Sequence, residues 1–192
     1  MTREMNLHDR WPEAVVIYLQ GLPTAGVIAD RAGKGAGWQT SPGSLGDRDL
    51  KLVDSVLAWA SRDFPVDPKR VFATGHSNGG WFIYLLWVAR PDRFTAFAPA
   101  SAVFGPMITE AKPKPALIVA GQNDRLVAFR LQRRTIDAVL ALNQAEAKGD
   151  PWFGGAERHS SKVADVVTYV HPGAHPLPGN AADVVTKFFR SF

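Results

Sequence analysis

The sequence predicts an α/β protein with a mostly parallel sheet of about five or six strands flanked by helices. Two observations carry this. Short apolar, often β-branched runs alternate along the chain with longer amphipathic ones. Several of the short runs are apolar without alternation, as strands covered on both faces are. With 192 residues, 46% hydrophobic and 21% charged, the chain suits one domain over 1–192 with a sizeable core.

The elements follow in order. Ala14 to Leu19 is a β-branched run ending at Gln20-Gly21 and predicts a buried strand. Leu22 to Gly46, rich in Gly and Pro, predicts a long loop of the kind that often carries function. Leu50, Val53, Leu57 and Ala60 recur at helical spacing, which predicts a helix from Asp47 to Arg62 capped by Asp47. Arg70–Thr74 is a second strand, Gly75–Gly80 a sharp turn, and Trp81–Ala89, apolar nearly all round, a buried helix. Phe94–Ala100 and Ala116–Ala120 are further strands, and Phe129–Leu142 is an amphipathic helix. Gly149–Ser161 reads as irregular loop, Val163–Val170 as a fifth strand, His171–Gly179 as a turn, and Ala181–Phe189 as a closing helix.

Composition excludes several classes of function. There are no cysteines, hence no disulfide, thiolate metal site or cysteine nucleophile. The net charge of +4 is spread along the chain, and the short cluster Arg130, Arg133 and Arg134 reads as a solvated helix face; no nucleic acid partner is expected. Met1–Arg10 is polar and resembles no signal peptide, and no apolar run is long enough to cross a membrane, so the chain as it stands reads as cytoplasmic. The histidines lack metal-ligand spacing, and Gly33–Gly37 follows no strand and lacks the phosphate-loop pattern, so neither metal nor cofactor is expected.

Gly75-His-Ser77-Asn-Gly79 fits G-x-S-x-G between an expected strand and an expected helix. At such a turn the serine hydroxyl stands out over the sheet edge. Glycines two residues either side avoid clashes, and the next residue's N–H, here that of Asn78, faces a developing oxyanion. Ser77 is therefore the expected nucleophile. It needs a base and an orienting carboxylate, supplied in this fold in the order serine, acid, histidine. Asp124, in the loop after the fourth strand, is the best acid. Asp92 sits at a helix end, Asp137 inside a helix, Asp150 in a remote loop, and Asp165 at the wrong end of a strand. Position alone leaves both His175 and His171 as bases, with His175 deeper in the loop. His8 and His159 read as surface residues and His76 as packing.

Val66 to Gly80, Arg93 to Pro99, Gly121 to Asp124 and Gly173 to Gly179 together resemble the secreted polyhydroxybutyrate-depolymerase and feruloyl-esterase-like group of α/β-hydrolases. The resemblance runs from about Trp11 to the C-terminus. It implies the α/β-hydrolase fold, a secreted location, and a triad of Ser77, Asp124 and His175. It also implies hydrolysis of short-chain, hydroxyalkanoate or hydroxycinnamate esters through an acyl-enzyme. Ala174 and Leu177 depart from the family's histidine loop, which bears on pocket shape more than on chemistry.

A second oxyanion donor is expected after an earlier strand. Leu22 is a poor candidate, because only one helix fits between Ala14–Leu19 and the nucleophile strand. The chain is therefore expected to be an α/β-hydrolase reduced at its N-terminus. Loss of one donor costs about 3–4 kcal/mol of transition-state stabilisation. A sheet edge left open invites a homodimer. Trp38, Trp81, Trp152 and Phe153 are expected beside the catalytic edge as substrate-binding aromatics. The rival readings are a weakly active or inactive homologue serving as a binding or assembly module, and a lactonase or amidase using the same triad.

Overall fold

A computed structural model of the chain describes residues 5–26 and 30–192. In order, the helices are α1 (Leu7–Arg10), α2 (Arg48–Asp63), α3 (Asn78–Ala89), α4 (Phe129–Leu142) and α5 (Ala181–Phe189). The strands are β1 (Leu22–Pro23), β2 (Ala36–Gly37), β3 (Phe72–His76), β4 (Ala96–Ala100), β5 (Ala116–Gly121), β6 (Asp150–Pro151), β7 (Glu157–His159) and β8 (Val166–His171). β1 and β2 form a small antiparallel pair; the other six strands form one sheet ordered β3-β4-β5-β8-β7-β6. β3, β4, β5 and β8 are parallel, and β7 and β6 close the far side antiparallel. The main sheet is thus mixed and mostly parallel, as expected.

Alternate residues of the central strands feed two cores, as the two-residue period of a strand requires. Ala116, Ile118 and Ala120 of β5 join α2, α3 and α4, while Leu117 and Val119 join α5 and Met5 on the opposite face. α3 presents no exposed residue, and its Tyr84, Leu85 and Trp87 are fully buried. Trp87 stacks on Phe97 of β4 at 5.2 Å, and its indole N–H donates to the Lys112 carbonyl. Arg90, just past α3, forks onto the Asp54 carboxylate of α2 and ties the two helices together.

Three expectations give way. Ala14–Leu19 forms no strand: it carries no ladder, Val15 and Ile17 are exposed, and of its side chains Leu19 packs against the core. β-branched content reflects a preference for a half-buried pleated surface, which a neighbouring strand must complete. None does so here, and β3 keeps β4 as its one partner among the described residues. Gly149–Ser161 is not irregular throughout, because β6 and β7 pair across it. Asp47 does not cap α2 with its side chain. It sits at φ 57°, and its carboxylate accepts from Gln39 and from the Gly43 N–H instead. The helix start is satisfied by the Gln39 side-chain oxygen, which accepts the N–H groups of Asp49 and Leu50. The long loop from Leu22 to Gly46 holds β1, β2 and the beginning of a 3-10 turn at Ser44–Asp47; its residues 27–29 lie outside the described residues.

Candidate active site

The parallel strands bring their carboxyl ends to one edge, where an open α/β sheet presents its site. β3 ends at His76, and Ser77 follows at φ 56° and ψ −120°, a conformation that side chains rarely adopt. The turn is held because the Ser77 N–H donates to the Ala100 carbonyl at the end of β4, and the Ser77 carbonyl accepts the Trp81 N–H of the first helical turn. Two glycines make the turn possible. A methyl group on Gly75 would meet the Gly79 carbonyl oxygen at 2.4 Å, and one on Gly80 would meet the Ala100 carbonyl oxygen at 2.6 Å. Gly79 is different, because the nearest atom to such a group is the Trp38 indole nitrogen at 3.8 Å. The crowded pair is thus Gly75 and Gly80, not the two glycines flanking the serine symmetrically.

His175 Nε2 lies 2.8 Å from Ser77 Oγ, and its Nδ1 lies 2.8 Å from Asp124 Oδ2. The structure brings these three together across 98 positions of sequence. Asp124 is buried in the loop after β5, and its other oxygen accepts the N–H groups of Leu126 and Val127. Burial pushes its carboxyl up, but the His175 hydrogen bond, the Val127 and Leu126 N–H groups and the charge of His175 outweigh this and hold it below the usual carboxylate range. Such an anion fixes the imidazole tautomer with the proton on Nδ1 and leaves Nε2 to accept from a hydroxyl.

His171 stands apart from this relay. It is buried, its Nδ1 accepts the Gly173 N–H, and its Nε2 has no hydrogen-bond partner among the described residues. Burial holds it below the ordinary histidine range against the opposing charge of Asp124. His159, expected at the surface, is also buried, with Nδ1 on the Glu146 carbonyl and Nε2 on the Thr168 hydroxyl. His8 is exposed beside Tyr18.

Asn78 opens α3, so its N–H lies outside the intrahelical ladder, and its side-chain oxygen accepts the Trp38 N–H. Leu22 lies in β1 opposite Gly37, the residue before Trp38, with its side chain exposed. Trp38 stacks on Phe82 at 4.9 Å and lies against the nucleophile turn, and Trp81 stands on the first turn of α3. Trp152 and Phe153 are not gathered with them. They lie at the β6–β7 turn, four to five strand spacings from β3, or roughly 20 Å. There Trp152 packs on the core beneath α5. A cleft between α4 and this hairpin, lined by Gln122, Phe129, Lys148 and Glu157, contains none of the three relay residues.

The prolyl oligopeptidase family model matches residues 31–114, which include the nucleophile turn. The chain is 30% identical over 178 residues to a probable feruloyl esterase C of Aspergillus flavus, covering 83% of this chain and 62% of that protein. It is 31% identical over 87 residues to a bifunctional acetylxylan esterase/xylanase of Neocallimastix patriciarum, covering 44% and 13%. Among solved structures, an acetyl xylan esterase from Aspergillus awamori superposes with a TM-score of 0.62 at 16% identity, over 81% of this chain and 73% of that one. The chain has the α/β-hydrolase fold of that structure. It spans about three-fifths of the length of the curated feruloyl esterase it matches.

Two features of the site escaped the sequence reading. His76 is not mere packing: its Nε2 meets the His175 carbonyl at 2.8 Å, and Ser101 donates to the same oxygen. Gln132, buried on α4, donates its amide to Asp124 Oδ2 at 2.9 Å and to the Val127 carbonyl. A glutamine inside an amphipathic helix carries no signal of such a task. The histidine beside the nucleophile was a visible candidate, but its partner depends on how a loop 99 residues away returns.

Proposed function

We propose that this protein is a serine-dependent carboxylic ester hydrolase that works through an acyl-enzyme. The observation that carries the reading is the unbroken relay Ser77 Oγ–His175–Asp124, with both links at 2.8 Å. In this reading His175 Nε2 takes the Ser77 proton as Oγ attacks the ester carbonyl, and the tetrahedral oxyanion faces the Asn78 N–H at the start of α3. His175 then returns the proton to the leaving alcohol. Water, activated by the same imidazole, releases the acid and restores the serine. Leu22, on the hairpin whose strand β2 lies next to Trp38, is retained as a second, weaker donor candidate.

Short-chain, hydroxyalkanoate or hydroxycinnamate esters are the proposed substrates, with Trp38 and Trp81 beside the acyl group. The feruloyl and acetylxylan esterases among the relatives favour an ester on a polysaccharide or an aromatic acid. The test is hydrolysis of p-nitrophenyl acetate, p-nitrophenyl butyrate and ethyl ferulate by the wild type and by Ser77→Ala. Equal rates would end the reading. A phosphonate ester supplies the direct check, since it becomes covalently attached to Ser77 and turns its P–O oxygen toward the oxyanion donors.

The position of β3 at the sheet edge favours one further association, a homodimer formed through that edge. Sedimentation at micromolar concentration reads it directly, and a monomer throughout would exclude it.

A further inference from the structure

We propose that His76 and Ser101 are positioning residues for the general base, gripping the main-chain carbonyl of His175 so that its imidazole is held against Ser77. The inference rests on the relay proposed above and adds two residues to it.

The segment from Pro172 to Gly179 forms neither helix nor strand, and Pro176, directly after the base, has no N–H to offer. Such a loop cannot fix a side chain by its own backbone. Its outward carbonyls are held instead by donors from neighbouring strand ends. Asn123, after β5, donates its side-chain amide to the Pro172 carbonyl at 2.7 Å and its N–H to the Gly173 carbonyl at 3.0 Å. The third anchor is the carbonyl of the base itself. His76 Nε2 donates to it at 2.8 Å from the end of β3, and Ser101 Oγ donates to it at 3.1 Å from the end of β4. Two donors fill both lone pairs of that oxygen.

The donors are themselves fixed. Ser101 is fully buried and sits at φ 48°, and its N–H donates to the Val119 carbonyl of β5. Backbone strain of this kind persists where the surroundings over-determine it. The His76 ring lies 4.8 Å from the His175 ring, and His76 directly precedes Ser77. The strand end that presents the nucleophile therefore also holds the base, and the gap between them is set within one piece of structure. Misplacement of a reacting group by about 1 Å can cost about a hundredfold in rate.

The experiment compares His76→Leu, His76→Gln and Ser101→Ala with the wild type. Glutamine offers an amide N–H near the place of Nε2, whereas leucine offers none. His76→Leu and Ser101→Ala should lower kcat for p-nitrophenyl butyrate by about tenfold to a hundredfold, with KM nearly unchanged, and His76→Gln should recover most of it. Nuclear magnetic resonance of the imidazole groups gives a readout that needs no ester. The His175 Nδ1 proton, bonded to Asp124, should resonate far downfield in the wild type, shift or vanish in His76→Leu and Ser101→Ala, and persist in His76→Gln. Unchanged kcat in the two deletions, failure of glutamine to rescue, or an unmoved His175 resonance would overturn the inference. If His76→Leu does not fold, Ser101→Ala carries the comparison. Were Ser77→Ala as active as the wild type, the proposed function would fail, while the resonance would still report the grip.

Discussion

The Asn78 side-chain oxygen accepts the Trp38 main-chain N–H at 2.8 Å, which fastens the loop after β2 to the residue that follows Ser77. The Trp38 ring lies over Gly79 in consequence. Asn78→Ala keeps the N–H proposed for the oxyanion and loses only this clasp. A single such bond is worth about 1 kcal/mol, so kcat/KM for p-nitrophenyl butyrate should fall about fivefold to tenfold. Asn78→Asp, which still accepts, should lose less.

The relay itself sets a larger expectation. Ser77→Ala should lose about four or more orders of magnitude in kcat, and Asp124→Asn about four, because the amide leaves the imidazole in the wrong tautomer. Circular dichroism spectra should match the wild type in both variants, since neither side chain fills a core.

The glycines of the nucleophile turn should separate cleanly. Gly75→Ala and Gly80→Ala drive a methyl group into main-chain carbonyls and should destabilise by about 2–3 kcal/mol or prevent folding. Gly79→Ala meets nothing closer than 3.8 Å and stands inside α3, where alanine is favoured over glycine by about 1 kcal/mol. Thermal unfolding should show Gly79→Ala at or above the wild type.

Gln132 donates to the same Asp124 oxygen that receives His175. Gln132→Leu leaves a buried carboxylate one donor short and should cost about 1.5–3 kcal/mol in urea unfolding, with a parallel loss of kcat. Gln132→Met, closer in volume, should lose a similar amount if the hydrogen bond rather than the packing matters.

Acid should weaken the fold in two stages. Burial lowers the proton affinity of His171 in the folded state below the ordinary value of 6.5, and the hydrogen bonds to Asp124 lower its affinity below 3.8. In both cases the unfolded chain takes up the proton at a higher pH than the folded one. The stabilisation is therefore complete above the unfolded value and is lost as pH falls through the folded value. Urea midpoints should begin to fall below about pH 6.5 and fall again below about pH 4. His171→Gln should remove the first stage and leave the second.

What the sequence revealed follows from which signals are local. The order of β3, β4, β5 and β8, and helices α3, α4 and α5, could be read from apolar runs and helical spacing, because burial on both faces leaves its mark on each segment. Ser77 and Asp124 stood out as candidates through the glycines of the turn and the chain order, whereas position left His171 beside His175 and the family resemblance chose between them. Ala14–Leu19 misled because β-branched composition does not supply a neighbour to pair with. Gln39, Gln132 and His76 stayed hidden for a shared reason: each is defined by a partner brought close only by the fold, respectively the start of α2, Asp124 and the carbonyl of His175.

The strand bearing Ser77 is zipped to the rest of the sheet along one side only, among the described residues. Border strands fray at lower free energy than interior ones. Warming should therefore scatter the chemical machinery while the interior of β4, β5 and β8 is still intact, so that turnover and bulk ellipticity decay at different temperatures. A more heat-tolerant catalyst would come from securing that border rather than from enlarging the core.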